Sequence, residues 1–221
     1  MIDWDATIQS YEGQLCFAGV DLSATSDFTA CVYLFQNQDD PTVIDLLARA
    51  WCPEDYLYNS KNRYRDFYQA WEKQGYLTTT PGNVIDYDII HDAISSDYDK
   101  LWIYSVTVDA LYQGVHFMNM LADDGIKIVP KRMGYSLAPA TNEFEKKFLE
   151  RKLNHGGNPV FRFCADNVCL KNDSNNNRTP DKGNSQGKID LVVCAVLAMD
   201  QAMSVGFELG NANDGSLINI S

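Results

Sequence analysis

Three aspartates stand where apolar elements begin or end. Asp21 closes the run Cys16-Phe-Ala-Gly-Val-Asp21, Asp109 closes Leu101-Trp-Ile-Tyr-Ser-Val-Thr-Val-Asp109, and Asp190 opens Asp190-Leu-Val-Val-Cys-Ala-Val-Leu-Ala-Met199. Taking a carboxylate into such surroundings costs several kcal/mol unless a bound cation or hydrogen bonding offsets it. Asp21 also admits a plainer reading, as a strand-end turn former. Carboxylates gathered at one spot cannot all stay ionised without cations, and magnesium and manganese favour carboxylate oxygens. Two such ions roughly 3.5–4 Å apart activate a water and stabilise the leaving oxygen of a phosphodiester. Structural zinc has little support, because His91, His116 and His155 lie far apart and no CxxC pair occurs.

The 221 residues, 45% of them hydrophobic, suffice for one good core without a composition break. Most of the six cysteines lie in apolar runs, which predicts free thiols in a reducing compartment. No signal peptide is visible and no apolar run approaches the ~18 residues of a membrane span, so a cytosolic protein is expected. A net charge of -12 is awkward for binding nucleic acid. Divalent ions held by carboxylates would bring their own positive charge, however, and the basic residues are clustered. Lys127, Lys131, Arg132, Lys146, Lys147, Arg151 and Lys152 crowd one stretch, and Lys171, Arg178, Lys182 and Lys188 follow. Each is equally compatible with a solvated helix face.

Residues 1–14 read as a linker stub, 15–204 as one domain and 205–221 as a C-terminal tail. Runs 15–21, 28–36 and 42–52 with short turns between them predict an antiparallel meander. Helices are predicted over 60–74, capped by Gly75, and over 86–98. Strand 101–108, helix 111–123 and strand 126–130 make a parallel unit with a right-handed crossover. Helices over 136–153 and 159–170 follow, then a mobile polar loop over 171–187 and a buried helix over 189–203. Three antiparallel strands, helices and two parallel strands is the element order of the ribonuclease H-like fold: an α/β mixed five-stranded sheet flanked by helices. In it the first and fourth strands are neighbours, which brings Asp21 beside Asp109, and the N-terminus of the last helix points Asp190 at the same spot.

At these residues the chain resembles the C-terminal nuclease domain of the large terminase subunit of tailed bacteriophages. The resemblance covers nearly all of 15–203. It rests on Gly19-Val-Asp-Leu-Ser with Asp27 six residues after Asp21, Trp71-Glu-Lys-Gln-Gly-Tyr-Leu-Thr with Thr80-Pro-Gly-Asn, Leu137-Ala-Pro-Ala, His155-Gly-Gly-Asn-Pro-Val, and Gly187-Lys-Ile-Asp. It implies a metal-dependent DNA endonuclease that cuts concatemeric phage DNA, with Asp21, Asp109 and Asp190 as the catalytic, metal-binding triad and Mg2+ or Mn2+ as cofactor. It also implies double-stranded DNA, a terminase ATPase domain, a small terminase subunit and a portal as partners, and the host cell cytoplasm as location. Asp27, Lys182 and Lys188 are candidate supporting or DNA-contacting residues, with capping of the strand turn the favoured role for Asp27.

The chain departs from a complete large terminase in having no Gly-x-x-x-x-Gly-Lys-Ser/Thr phosphate loop, which predicts an excised domain or a truncated relative. Ala110-Leu-Tyr after Asp109 also departs from the family's expected small or aromatic residue with an asparagine nearby, so the resemblance carries the aspartate rather than its neighbours. Gly-Val-Asp-Leu-Ser-Ala-Thr-Ser similarly resembles the first phosphate loop of actin-like ATPases and sugar kinases, but no second glycine-rich loop follows. A resolvase-type nuclease and a non-catalytic DNA- or portal-binding domain are the remaining alternatives.

Overall fold

The computed structural model describes residues 1–23, 28–109 and 114–207. The chain opens with a helix, α1 (Trp4–Gln9), where a linker stub was expected. Asp3 caps it by accepting from the Ala6 amide at 3.0 Å, and Trp4 Nε1 donates to the Gly75 carbonyl at 2.9 Å. The Trp4 bond to Gly75 and the burial of Ile8 give this short helix tertiary support that six residues lack on their own.

The expected meander follows as β1 (Leu15–Asp21), β2 (Thr29–Gln36) and β3 (Ile44–Pro53). Then come α2 (Glu54–Tyr58), α3 (Arg65–Gln74), β4 (Thr78–Thr80) and α4 (Tyr87–Tyr98). Gly75 ends α3 in the left-handed region at φ 82°, where a side chain would be strained. The parallel unit is β5 (Trp102–Asp109), α5 (Gly114–Asp123) and β6 (Ile128–Lys131). A 3-10 turn leads into α6 (Ala138–Leu149), then β7 (Leu153–Asn154) and α7 (Pro159–Asn167). Strands β8 (Leu170–Asn172) and β9 (Arg178–Pro180) precede α8 (Asp190–Ser204).

The main sheet runs β4-β3-β2-β1-β5-β6, with β7 also pairing β3; β1 to β3 are antiparallel neighbours, and β5 and β6 run parallel to β1. The two short additions, β4 and β7, carry too few residues to show any hydrophobic period. Both faces of the sheet are covered, which is why the strands read as continuous apolar runs. Phe17, Val32 and Leu34 face one core with α3, α6, α7 and α8, whereas Cys16, Ala18 and Val20 face a second with α1, α4 and α5. Five of the six thiols are buried and all six are unpaired. No described helix is long and apolar enough to cross a membrane.

One expectation gains structure. The first part of the polar segment 171–187, expected as a loop, is a two-stranded hairpin over 170–180, with Leu170 opposite Pro180 and Asn172 opposite Arg178, and a turn follows it. Its tip is tied by Asp173, which accepts from the Asn175 and Asn177 amides at 2.8 and 2.9 Å. Polar side chains supply the bonds here, so the order leaves no apolar signature. The same pairing ends α7 at Asn167, short of the expected 170, because Leu170 is drawn into β8. Helix α6 likewise stops at Leu149, and α3 begins only at Arg65.

Candidate functional site

Parallel pairing of β1 with β5 matches Val20 to Val108, so the next residue on each strand is Asp21 and Asp109. Side chains alternate across a strand, and Val20 and Val108 belong to the core on the α4 and α5 side. The two aspartates therefore emerge on the face that carries α8. There Gly19 lets the helix backbone settle on β1: a Cβ would overlap the Cys194 carbonyl oxygen. That close approach sets the first residue of α8, Asp190, beside Asp21.

All three carboxylates are sunk into the fold, with residue exposures of 2% for Asp21, 7% for Asp109 and 1% for Asp190. Lys182 reaches in from the turn after β9 and pairs with both Asp21 and Asp190, the latter at 3.0 Å. The turn that delivers it is built on Asp181. Its carboxylate accepts from the Gly183 amide at 3.0 Å and from Asn184 Nδ2 at 2.6 Å, while Ser185 Oγ donates to its carbonyl at 2.7 Å. Those bonds, that from Asn184 foremost, hold Asp181 below the ordinary carboxylate range.

Burial dominates the electrostatics. It raises the Asp21 pKa to about 8 against the opposing pull of Lys182, with Asp190 and Asp109 adding to the rise. Asp109 is also raised by burial, while the Lys182 charge and the Met133 backbone amide lower it. Burial works against charge on Lys182 too, yet Asp21 and Asp190 raise its pKa on balance. The cluster thus has an excess of negative charge that one ammonium only partly neutralises.

The donor types of this set suit a divalent ion, though as folded they do not close on one. The donors are carboxylate oxygens alone, Asp109 Oδ1 is buried without a hydrogen-bond partner, and an ammonium stands between two of the carboxylates. As folded, Asp21 and Asp190 are paired with that ammonium, and among the described residues no trio of His, Cys, Asp or Glu is closed on a common point as a ready cage.

Of the other residues singled out from sequence, Asp27 lies outside the described residues. Lys188 Nζ stands 5.7 Å from the Tyr56 ring centroid. Several of the clustered cations are engaged within the fold. Lys131 pairs with Asp200 at 2.7 Å, Lys152 with Asp40 at 3.1 Å and Arg178 with Glu145, while buried Lys147 donates to the Thr42 carbonyl. Sequence reasoning missed Asp181 and Met133, which carry no local signal, and it treated Lys182 as a loop cation rather than the bridge between two aspartates.

Residues 3–205 match the family Terminase large subunit, endonuclease domain. The chain is 29% identical over 208 residues to the terminase large subunit of Enterobacteria phage HK97, covering 90% of this chain and 39% of that protein. The crystal structure of the HK97 bacteriophage large terminase superposes with a TM-score of 0.77 at 27% identity, covering 91% of this chain and 43% of that one. The chain thus spans less than half the length of that relative. The large terminase nuclease from thermophilic phage G20c with bound magnesium shares the fold, with a TM-score of 0.56 at 10% identity over 86% of this chain and 85% of that one. With a ribonuclease H-like mixed sheet, an acidic cluster at the ends of its central strands and a match along nearly the whole chain, the protein belongs to the family of terminase large subunit endonuclease domains.

Proposed function

We propose that the chain is a divalent-metal-dependent DNA endonuclease that cuts concatemeric viral DNA during genome packaging by phosphodiester hydrolysis. The observation that carries this reading is that buried Asp21, Asp109 and Asp190, from β1, β5 and α8, lie close enough to act on one another's charge, with Lys182 paired to Asp21 and Asp190. The likeness to a terminase nuclease with bound magnesium supports a metal requirement. Asp21, Asp109 and Asp190 would hold Mg2+ or Mn2+ through oxygen alone, in a two-ion site. When bound, such ions supply an activated water and stabilise charge on the leaving oxygen.

The chain's own groups have distinct tasks. Asp190 is held rigidly as the first residue of α8. Asp21 and Asp109 are held by neighbouring parallel strands, so their spacing is set by the sheet. Lys182 keeps Asp21 and Asp190 together through its ammonium. Double-stranded DNA is the substrate of this reading; a packaging ATPase domain, a small terminase subunit and the portal are its partners, in the host cell cytoplasm. Residues 15–204 act as the nuclease domain.

Supercoiled plasmid incubated with the purified chain in manganese, magnesium or EDTA tests the reading. Nicking is expected with either ion and none in EDTA. Nicking in EDTA, or none with either ion, would overturn it.

A further inference from the structure

We propose that a pocket adjoining the carboxylates is the seat of the DNA backbone flanking the scissile phosphate, and that Lys61 and Arg63 grip it. This rests on the nuclease reading for its substrate but on separate residues for its argument. The pocket has a volume of about 300 Å³ and shares Lys182 and Asp190 with the acidic cluster. That volume is at the lower end for small-ligand sites.

Its charge is inverted relative to the chain. Against 30 acidic and 18 basic residues overall, the pocket lining holds one carboxylate, Asp190, and four cations, of which Lys182 is paired with Asp21 and Asp190 while Lys61, Arg63 and Lys188 add positive charge. Phosphodiesters are the ligands that such a cleft concentrates. Two tyrosines, Tyr56 and Tyr64, add aromatic faces of the kind on which bases and sugars pack.

The cations are presented by a braced segment. Asn59 Oδ1 accepts from the Lys61 amide at 2.9 Å, and Asn62 Oδ1 from the Tyr64 amide at 3.0 Å. Asn62 is buried and its Nδ2 donates to the Tyr56 carbonyl. The Arg63 guanidinium lies 4.5 Å from the Tyr64 ring centroid and donates to the Gln186 carbonyl, which Tyr64 Oη also reaches at 3.1 Å. One of its five N–H groups is spent on Gln186, and the residue is exposed. Among the described residues neither Lys61 nor Arg63 has an ion-pair partner, unlike Lys131 and Lys152. The segment 59–64 and the turn 182–188 thereby form two walls of one phosphate-binding cleft that opens beside Asp190.

The test uses the full chain and a fluorescein-labelled duplex of random sequence. Binding is measured in EDTA across a salt series, and nicking in manganese at varied DNA concentration. For Lys61→Ala with Arg63→Ala, Kd is expected to rise about tenfold, the loss of one or two charge-assisted contacts. The slope of log Kd against log salt should fall by about two. The KM for DNA should rise with kcat nearly unchanged, and Lys61→Arg with Arg63→Lys should restore most of the affinity. Lys61→Ala alone, on an exposed side chain, serves as a second variant with half the change in slope, and Lys100→Ala should alter nothing. Unchanged Kd and slope in the double variant, while the wild type binds and nicks, would overturn the pocket and leave the nuclease reading standing. If the wild type binds, fails to nick, and loses binding on substitution, the pocket stands and the nuclease reading falls.

Discussion

Gly19 on β1 lies directly beneath Cys194 on α8, so closely that a Cβ would overlap the Cys194 carbonyl oxygen and come within 3.0 Å of the Ala198 amide nitrogen. Both obstacles are helix backbone, which cannot rotate aside. Gly19→Ala is expected to push α8 off the sheet, costing about 1–3 kcal/mol. Nicking should fall along with thermal stability, because Asp190 moves with the helix. A calorimetric scan beside a plasmid assay checks this, and an alanine variant with wild-type Tm and activity would contradict it.

Replacing Asp21, Asp109 or Asp190 with Asn should each reduce metal-dependent nicking by at least about a hundredfold, beyond the 10–100-fold typical of losing an outer partner of a metal ligand. Shape is kept in these variants and charge is removed. A crystal soaked in manganese should show anomalous density beside Asp21 in the wild type and none in Asp21→Asn.

Stability without metal should fall as pH rises. Asp21 has a folded pKa of about 8 against an ordinary 3.8, so the folded state holds a proton that the unfolded chain has released between those values. The stabilisation is complete below about pH 4 and is lost as pH climbs through about 8. In EDTA the Tm should therefore drop over that window, less steeply in Asp21→Asn. Manganese should reverse the trend, since ligation requires the deprotonated carboxylate.

Lys182→Ala removes the cation shared by Asp21 and Asp190. The side chain is 41% exposed, which places the expected loss between the surface and fully buried cases, at about 1–2 kcal/mol. The same variant should show a larger manganese-induced rise in Tm, because the ion no longer displaces an ammonium. An equal rise in both proteins would mean that Lys182 does not compete for the site.

Away from the site, Arg49 forms a bidentate pair with buried Asp97, at 2.7 Å for both bonds, and Tyr33 Oη donates to the same carboxylate at 2.8 Å. Asp97→Ala leaves a largely buried guanidinium uncompensated. It should cost about 3–5 kcal/mol by urea unfolding, while nicking per folded molecule stays near wild type.

The placement of Asp21, Asp109 and Asp190 at element ends was legible in the sequence because each borders an apolar run. Those runs are set by burial on both sheet faces, and the strand ends at Asp21 and Asp109 and the start of α8 at Asp190 agree with that reading. Gly75 was legible as a cap for the same local reason: only a residue without Cβ sits easily at its positive φ. The meander and the parallel unit follow from turn length and period alone, whereas β4 and β7 are two or three residues long and gain their hydrogen bonds only by lying against β3. Helix α1 depends on Trp4 meeting Gly75, 71 positions away, and no local pattern encodes that. The hairpin over 170–180 and the turn on Asp181 are held by side-chain hydrogen bonds among Asp, Asn and Ser, types that also compose flexible loops. Composition thus announced a polar segment. Only the tertiary structure put Lys182 between two buried aspartates and set Lys61 and Arg63 across a cleft from Lys188, because charges distant in the chain meet only once packing has fixed the backbone that carries them.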